Sequence, residues 1–497
     1  MSEKHIAIIG AGPGGLTSAM LLAHRGYKVS VFEKEDKVGG RSAELKLGDY
    51  IFDTGPTFLM MTFVLREMFE ETGRKLEDYC DVRNLDPMYK LAFSDIDFYP
   101  TSDREKMKEQ IENLFPGDGK GLDIFHKKEK VRYDRMYPCL KKDYSSFKEM
   151  FSTPLLKAFP YLSLSKSLYQ VLGSYFADER LRLSFTFQAK YLGMSPWECP
   201  GAFTIIPYLE HNFGVDHVIG GLSRISDAMA DVAREEGAEI HLGANVRKII
   251  VEGGAANGIE LENGEKITAD NVIINADFGH AMSTLFDPGI IKKWTPENLR
   301  TKKYSCSTFM LYLGLDTLYE ETHHQIIFAG DYEKNITEII SGKTLSDDMS
   351  IYVRNASITD PQIAPQGHSA IYVLVPVPNN LSNITWEDEQ IKEYRDKVLD
   401  RIEQRTSMKN LRSHIVTEKI ITPTDWENTH SVFLGATFNL GHTISQMLYF
   451  RPRNRFEEVK NCYLVGGGTH PGSGLPTIYE SARITANLIE KDCTVLL

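Results

Sequence analysis

Gly10, Gly12 and Gly15 stand in the run Gly10-Ala11-Gly12-Pro13-Gly14-Gly15, between the apolar segment His5 to Ile9 and the stretch Leu16 to His24. The apolar spacing of that stretch, with small Ser18 and Ala19 near its start, is that of a buried helix. Strand, G-x-G-x-x-G and helix together serve one chemistry, the binding of a pyrophosphate. Peptide N–H groups and the positive helix terminus can approach an anion only where no side chain intervenes. Gly10 makes the tight turn, Gly12 leaves room for phosphate, and Gly15 lets the helix pack on the strand. A second apolar segment, Lys28 to Phe32, ends in Glu33. There, about twenty residues past the glycines, a carboxylate accepts both ribose hydroxyls and disfavours a 2′-phosphate. These residues alone fit a nicotinamide or a flavin dinucleotide.

A second glycine cluster lies near the other end, Cys462-Tyr463-Leu464-Val465-Gly466-Gly467-Gly468-Thr469-His470-Pro471-Gly472-Ser473-Gly474-Leu475-Pro476, followed by a helical pattern from Thr477 to Glu490. It too reads as strand, flexible turn and helix N-terminus, where backbone dipoles can meet a ligand. The two clusters bracket one cofactor from opposite ends of the chain.

The elements that must position these clusters come from a chain of 497 residues, too long for one simple core. After Arg41, Tyr50 to Phe58 reads as a strand ending in a turn at Gly55-Pro56. From about Leu59 to Asn212 the pattern is helical and aromatic. Met150 to Phe187 combines Phe151, Leu155, Phe159, Leu164, Tyr175 and Phe176 with few charges, as in a lid packed on the core or a surface that meets lipid. From Val218 the nucleotide pattern returns. A helix is expected over Leu222 to Glu236, then strands at Ala238 to Leu242, Val246 to Glu252 and Ala256 to Leu261, a hairpin at Asn263-Gly264, and a strand at Val272 to Asp277. Phe309 to Leu315, Ser350 to Asn355 and Ala370 to Pro376 read as strands of a second sheet, and Trp386 to Thr406 as a charged amphipathic helix. The expected division is residues 1–80, 218–290 and 456–497 for the dinucleotide part, 81–217 for a helical lid, and 291–455 for a substrate part.

Lys and Arg number 56 against 68 Asp and Glu, a net charge of −12, which argues against nucleic acid and against a polybasic route to anionic membranes. Any membrane contact must be apolar. Six scattered cysteines form no C-x-x-C pair and no zinc spacing, so they read as reduced thiols and no metal is expected. A first strand at His5 leaves no room for a signal peptide, and no apolar stretch reaches eighteen residues. The expectation is a cytoplasmic protein, peripherally attached to a membrane.

With Lys34 and Val38-Gly39-Gly40-Arg41 added to Glu33, the N-terminal motif resembles that of the FAD-binding amine-oxidase and carotenoid-desaturase superfamily. Gly468 to Pro476, Gly435-Ala436-Thr437-Phe438 through Gln446, Phe450-Arg451-Pro452 and Asn454-Arg455 resemble the C-terminal signatures of bacterial-type carotenoid (phytoene) desaturases. Gly-Gly-Gly for Gly-Ala-Gly, Ser473 for alanine and Thr477 for glycine are minor departures. The resemblance spans essentially the whole chain and implies an α/β fold. That fold is a Rossmann-like FAD-binding unit of the amine-oxidase/glutathione-reductase type, interleaved with a mixed α+β substrate domain and a helical, membrane-facing lid.

The resemblance implies FAD held by Gly10, Gly12, Gly15, Glu33, Lys34, Gly40, Arg41, Thr57, Phe58, Val246, Asn275, Gly467, Gly468, Gly474, Pro476 and Thr477. Arg41 would reach the phosphates, Thr57 and Phe58 the flavin ring, and the backbone near Val246 the adenine. It implies hydride transfer from saturated carbon beside a polyene, with a carotenoid substrate drawn from a membrane and oxygen or a quinone as electron acceptor. Overall likeness leans to the 1-hydroxycarotenoid 3,4-desaturase branch. Phytoene desaturase, a flavin-dependent carotenoid isomerase, an amine oxidase and a non-catalytic prenyl binder are the alternatives. An allylic cation is stabilised by conjugation, which fits the lack of a triad, carboxylate pair or metal site. Asp277, His442, His470 and Arg451 are the candidates for proton or cation chemistry. Asp277 could instead cap a turn, His470 cap the final helix, and Arg451 pair a structural carboxylate.

Overall fold

His5–Ile9 is the middle strand of a five-stranded sheet in the computed structural model, which describes residues 4–495. The order is Cys462–Leu464, Asn271–Ile274, His5–Ile9, Lys28–Phe32, Glu239–His241, and every pairing is parallel. Parallel strands need cover on both faces, and the period of two sorts the side chains accordingly. Ile6 and Ile8 join the core under the helices, while Ala7 and Ile9 join a second core with Ile249, Ile259 and Met282. Pro13–His24 packs against both Ser223–Glu235 and Leu475–Val495, so its residues from Gly14 to Ala23 are all buried. The opposite face carries a three-stranded antiparallel meander, Val246–Glu252, Ala255–Leu261 and Lys266–Thr268.

A seven-stranded, mainly antiparallel sheet forms the second layer, ordered Ile415–Ile421, Ser307–Leu315, Ser369–Val377, Ile351–Asn355, His324–Ile327, Lys90–Ala92, Asp97–Phe98. Alternation again sets direction. Phe309, Leu311, Leu313 and Leu315 pack against Tyr394, Val398, Leu399 and Ile402 of the helix Asp388–Arg405. Met310, Tyr312 and Tyr372 turn the other way, toward Tyr50 and Phe52. The nucleotide half and the second sheet therefore face each other across the strand Tyr50–Asp53.

Two expectations change. The stretch 81–217 is not wholly helical, because Lys90–Ala92 and Asp97–Phe98 complete the second sheet and Val82–Asn84 pairs with Asp216–Val218. Short strands of two or three residues carry too little periodicity to register in the sequence. The aromatic stretch from Met150 breaks into short helices, Thr153–Ala158, Leu168–Leu172 and Glu179–Ser184, separated by Pro160, left-handed Ser163 and Gly173. It buries Leu168, Leu172 and Phe176 and exposes Phe151, Leu156, Phe159 and Leu164.

Candidate active site

One continuous cleft of about 1370 Å³ runs between the two layers. Its lining includes Gly10, Gly12, Glu33, Lys34, Gly40, Arg41, Thr57, Phe58, Val246, Asn275, Gly467, Gly468, Gly474, Pro476 and Thr477. Of the expected cofactor residues only Gly15 stands behind the wall, and its role is packing: a Cβ there would lie 2.1 Å from the Gly10 carbonyl oxygen. Gly10 itself has φ +95°, and the Asn275 amide donates to its carbonyl at 3.0 Å. Glu33 is buried with its carboxylate already oriented, accepting from the Ala11 N–H at 2.7 Å and the Glu35 N–H at 3.0 Å. Lys34 reaches Ser431 Oγ at 2.9 Å on the rim.

The second glycine pair is tied to the first, since the Gly39 N–H donates to the Ala11 carbonyl at 2.8 Å. Arg41 follows and donates to the Thr437 carbonyl at 2.7 Å, which joins the N-terminal motif to the C-terminal one. The loop after Tyr50–Asp53 returns to this point, where Gly55 backs so closely onto Arg41 that an added Cβ would lie 2.5 Å from the Arg41 carbonyl oxygen. Tyr372 Oη donates to the Gly55 carbonyl at 2.8 Å, and Thr57 Oγ1 lies 2.7 Å from Tyr352 Oη. Behind the loop, buried Arg354 bridges Asp53 at 2.8 Å and His217 at 3.2 Å, and His217 meets Asp360 at 3.0 Å. These charges lock the loop to the second sheet.

The C-terminal cluster forms a turn ahead of the helix Leu475–Val495, with Thr477 Oγ1 2.8 Å from the Gly474 carbonyl oxygen. Two helix N-termini, this one and that of Pro13–His24, thus open on the same cleft, each favouring negative charge. Arg451 organises the turn from behind. It is fully buried and donates to the carbonyls of Thr469, Gln446, Leu440 and Gly467 at 2.7 to 3.3 Å. Burial pulls its guanidinium down to about 9. It pairs no carboxylate among the described residues.

Arg451 and His470 do not line the cleft, which corrects their placement among the groups that meet substrate. The physical reason is that both side chains satisfy backbone groups on the far side of the turn. His470 Nε2 donates to the Lys142 carbonyl at 2.9 Å rather than capping the final helix, and burial lowers its ring to about 4. His442 does line the cleft, and its Nε2 accepts from the Ser473 N–H at 3.2 Å. Asp277 caps the helix Phe278–Thr284, accepting from the N–H groups of His280 and Phe433 and from the Asn439 amide. Burial raises its carboxyl while Arg41 opposes the shift.

Beyond this turn the lining becomes apolar: Met136, Leu140, Met150, Leu155, Leu162, Phe203, Ile206 and Leu209. Leu156, Phe159, Leu164, Ile444 and Phe450 both line the cleft and face solvent, so they form its mouth. Behind Leu209 on the same helix, Glu210 is fully buried, accepts from Tyr89 Oη and from the Gln188 amide at 2.9 Å, and leaves Oε2 without a partner. Burial pushes its carboxyl from 4.5 up to about 7. The folded state therefore holds this proton more tightly than the unfolded one. Stability should fall by roughly 3 kcal/mol as pH rises through that window. Glu210→Gln is expected to unfold at higher urea than the parent at pH 8 and at the same urea near pH 4, measured by paired denaturation curves.

Sequence reading did not single out Gly14, Tyr352, Tyr372 or Asn439. Gly14 had a legible signal, its place inside the motif; an added Cβ would lie 2.5 Å from Val465 Cγ1. The others sit on strands and loops with no local pattern to mark them. The residues present fit FAD on structural grounds: a Cβ-free cradle at a helix N-terminus, an oriented carboxylate on the same cleft wall, and a second helix N-terminus opening on that cleft. The cleft exceeds the ~300–1,000 Å³ usual for one small ligand, which leaves space for a second, apolar one.

Comparison with known proteins agrees. Residues 13–489 match the family model described as flavin containing amine oxidoreductase. The chain is 54% identical over 490 residues to a 4,4'-diapophytoene desaturase (4,4'-diapolycopene-forming) of Methylomonas sp, covering 99% of this chain and 96% of that one. It is 35% identical over 491 residues to a phytoene desaturase (neurosporene-forming) of Rhodobacter capsulatus, covering 97% and 93%. Among solved structures it is similar to an oxidoreductase from Methanosarcina mazei, with TM-score 0.63 at 18% identity over 98% of this chain and 100% of that one. It is also similar to a putrescine oxidase, with TM-score 0.60 at 14% identity over 99% of each chain; both are likenesses of fold. The glycine cradles, the oriented Glu33 and the apolar far end thus belong to a member of the flavin-containing amine oxidoreductase family, an FAD-dependent enzyme of its bacterial carotenoid desaturase group.

Proposed function

We propose that the chain desaturates an acyclic hydrocarbon polyene of the 4,4'-diapophytoene class, taken up from a membrane. The observation that carries this reading is the 54% identity, over almost all of both chains, to a diapophytoene desaturase. The apolar far end supports it, since among the described side chains from Met136 to Leu209 that line it the one polar atom is the weakly bonding thiol of Cys139, which already meets the Arg135 carbonyl. This weighs against the 1-hydroxycarotenoid branch expected from overall likeness. Bound FAD supplies a centre that accepts hydride, and oxygen or a membrane quinone removes the electrons. The chain's own residues hold the dinucleotide, orient the polyene and keep water from it.

The mouth and the exposed segment beside it support uptake from a membrane. Phe151 is 65% and Phe159 61% exposed, and exposed Lys148, Lys157 and Lys166 stand among them. Large apolar side chains held in water beside an apolar tunnel suit a bilayer surface. No helix among the described residues is long and apolar enough to cross one.

The test is FAD-loaded protein in liposomes carrying 4,4'-diapophytoene, phytoene or 1-hydroxy-γ-carotene, without oxygen, followed by absorbance and product chromatography. Flavin bleaching with a longer polyene from diapophytoene is expected. Reaction with the hydroxylated substrate alone would overturn the reading, and a rearranged polyene without bleaching would point to an isomerase. In the same vesicles, joint replacement of Phe151, Leu156 and Phe159 by Ser should weaken binding on the order of a hundredfold, at about 1 kcal/mol each.

A further inference from the structure

Taking hydrogen from both carbons of a single bond sends one hydrogen, with both electrons of its bond, to the bound cofactor. The other leaves as a proton, and its bond pair becomes the new double bond. That proton needs an acceptor in the protein. The carboxylate of Asp277 is taken by three donors, His442 Nε2 by the Ser473 N–H, and Arg451 and His470 stand outside the cleft.

We propose that Thr57, Tyr352 and His324 form the proton-accepting relay of the desaturation, with Thr57 and Tyr352 as catalytic residues at the cleft wall. His324 acts through Tyr352 as the buried terminus. The proposal rests on the carotenoid desaturase activity and not on which carotenoid is used.

Three observations place the relay. Thr57 and Tyr352 both line the cleft. Thr57 stands on the loop that runs from Gly55, in contact with Arg41 beside the first glycine motif, to Met60 and Met61 on the wall of the cleft, and Tyr352 faces it from the strand Ile351–Asn355. Short hydrogen bonds then lead inward: Thr57 Oγ1 is 2.7 Å from Tyr352 Oη, and Tyr352 Oη is 2.7 Å from His324 Nδ1. His324 has no accessible surface, and its ring stacks on Phe58 at 4.3 Å.

With His324 as the Nε2–H tautomer, all donors point one way, Thr57 to Tyr352 and Tyr352 to His324. Thr57 Oγ1 takes the substrate proton on a lone pair as its own proton passes to Tyr352 Oη, and the Tyr352 proton passes to His324 Nδ1. Each hydroxyl ends with one proton and His324 becomes an imidazolium. Burial and the neighbouring Arg354 hold that ring well below its ordinary 6.5, so at rest it is neutral and ready to accept. A weak base suffices because a C–H bond beside an allylic cation is strongly acidic. The same low affinity returns the proton along the relay when an oxygen or quinone acceptor collects two electrons and two protons.

The test uses FAD-loaded protein in liposomes, without oxygen, in single turnover, followed by growth of polyene absorbance. Tyr352→Phe is expected to slow this step on the order of a hundredfold, with half-saturating substrate and FAD affinity unchanged. D2O should slow the wild type and leave Tyr352→Phe unaffected. His324→Gln, which keeps an acceptor for the tyrosine hydroxyl but cannot take the proton, should lose as much. A readout independent of cofactor and substrate is the ¹⁵N resonance of His324 Nδ1 in histidine-labelled protein, assigned by its loss in His324→Gln and expected to move in Tyr352→Phe. Wild-type turnover is measured first, so a wrong substrate shows there and not in the variants. A Tyr352→Phe or His324→Gln rate within twofold of wild type, no D2O effect on the wild type, or an unmoved Nδ1 resonance would each overturn the relay.

Discussion

Gly15→Ala is expected to purify without its flavin. The new Cβ would lie 2.1 Å from the Gly10 carbonyl oxygen and 2.8 Å from Asn275 Nδ2, so the helix Pro13–His24 must move off the strand His5–Ile9. Neither partner can yield, because Gly10 is fixed by the Asn275 amide and the helix by two others packed on it. The shift carries the helix N–H groups and the Gly12 gap away from the pyrophosphate. The expected loss is at least a hundredfold in FAD affinity, about 3 kcal/mol or more, read as the 450 to 280 nm absorbance ratio and by fluorescence titration. Gly26→Ala is the control. Gly26, unlike Gly15, has positive φ, +82°, and an added Cβ there meets nothing within 4 Å. It should cost about 1 kcal/mol of backbone strain and leave FAD bound. A yellow Gly15→Ala protein with the parent's absorbance ratio would refute the cradle as described.

Replacing Arg451 should produce the second-largest effect, on stability and on cofactor retention together. Two opposing terms decide its sign. Holding the guanidinium in a dry interior, as its fall to about 9 records, costs roughly 5 kcal/mol at neutral pH. Four charge-assisted bonds to carbonyls return about 1.5–3 kcal/mol each. The bonds win. Arg451→Met relieves the cost but strands four buried carbonyls, for a net loss of about 3–5 kcal/mol, or a Tm about 4 °C lower for a chain of 497 residues. Because two of those carbonyls, Gly467 and Thr469, belong to the turn ahead of the final helix, FAD should also bind more weakly. Arg451→Lys should not rescue either property, since one ammonium cannot span acceptors fixed around a planar fork. A Tm equal to the parent's would show that the carbonyls find other partners.

The nucleotide half was legible in the sequence because its determinants are local. Glycine spacing dictates a turn, a turn dictates where helix meets strand, and Glu33 follows at a distance set by one βαβ unit. The strand and helix boundaries of that half lie within a few residues of the sequence reading: Pro13–His24 begins earlier than Leu16, and Val246–Glu252 agrees at both ends. The helix Asp388–Arg405 and the strand Ser307–Leu315 were likewise visible in their periodicity.

The roles of the polar residues were decided by tertiary structure. Arg451, His470, Asp277 and His442 looked alike in the sequence, as polar groups that could serve proton or cation chemistry. Which atoms they meet depends on segments far away in the chain: Leu440 and Gln446 for Arg451, Lys142 for His470, Phe433 and Asn439 for Asp277. Tyr352 and His324 became neighbours only through the antiparallel pairing of His324–Ile327 with Ile351–Asn355. Strand register over such separations is set by the packing of whole sheet faces, and short polar-bearing strands leave no mark of it. The sequence by itself determined a dinucleotide cradle at its first glycine cluster, and its resemblance to a flavoprotein family made that dinucleotide FAD. Tertiary structure alone decided which side chains line the cleft, because side-chain burial and partnership are properties of the assembled core.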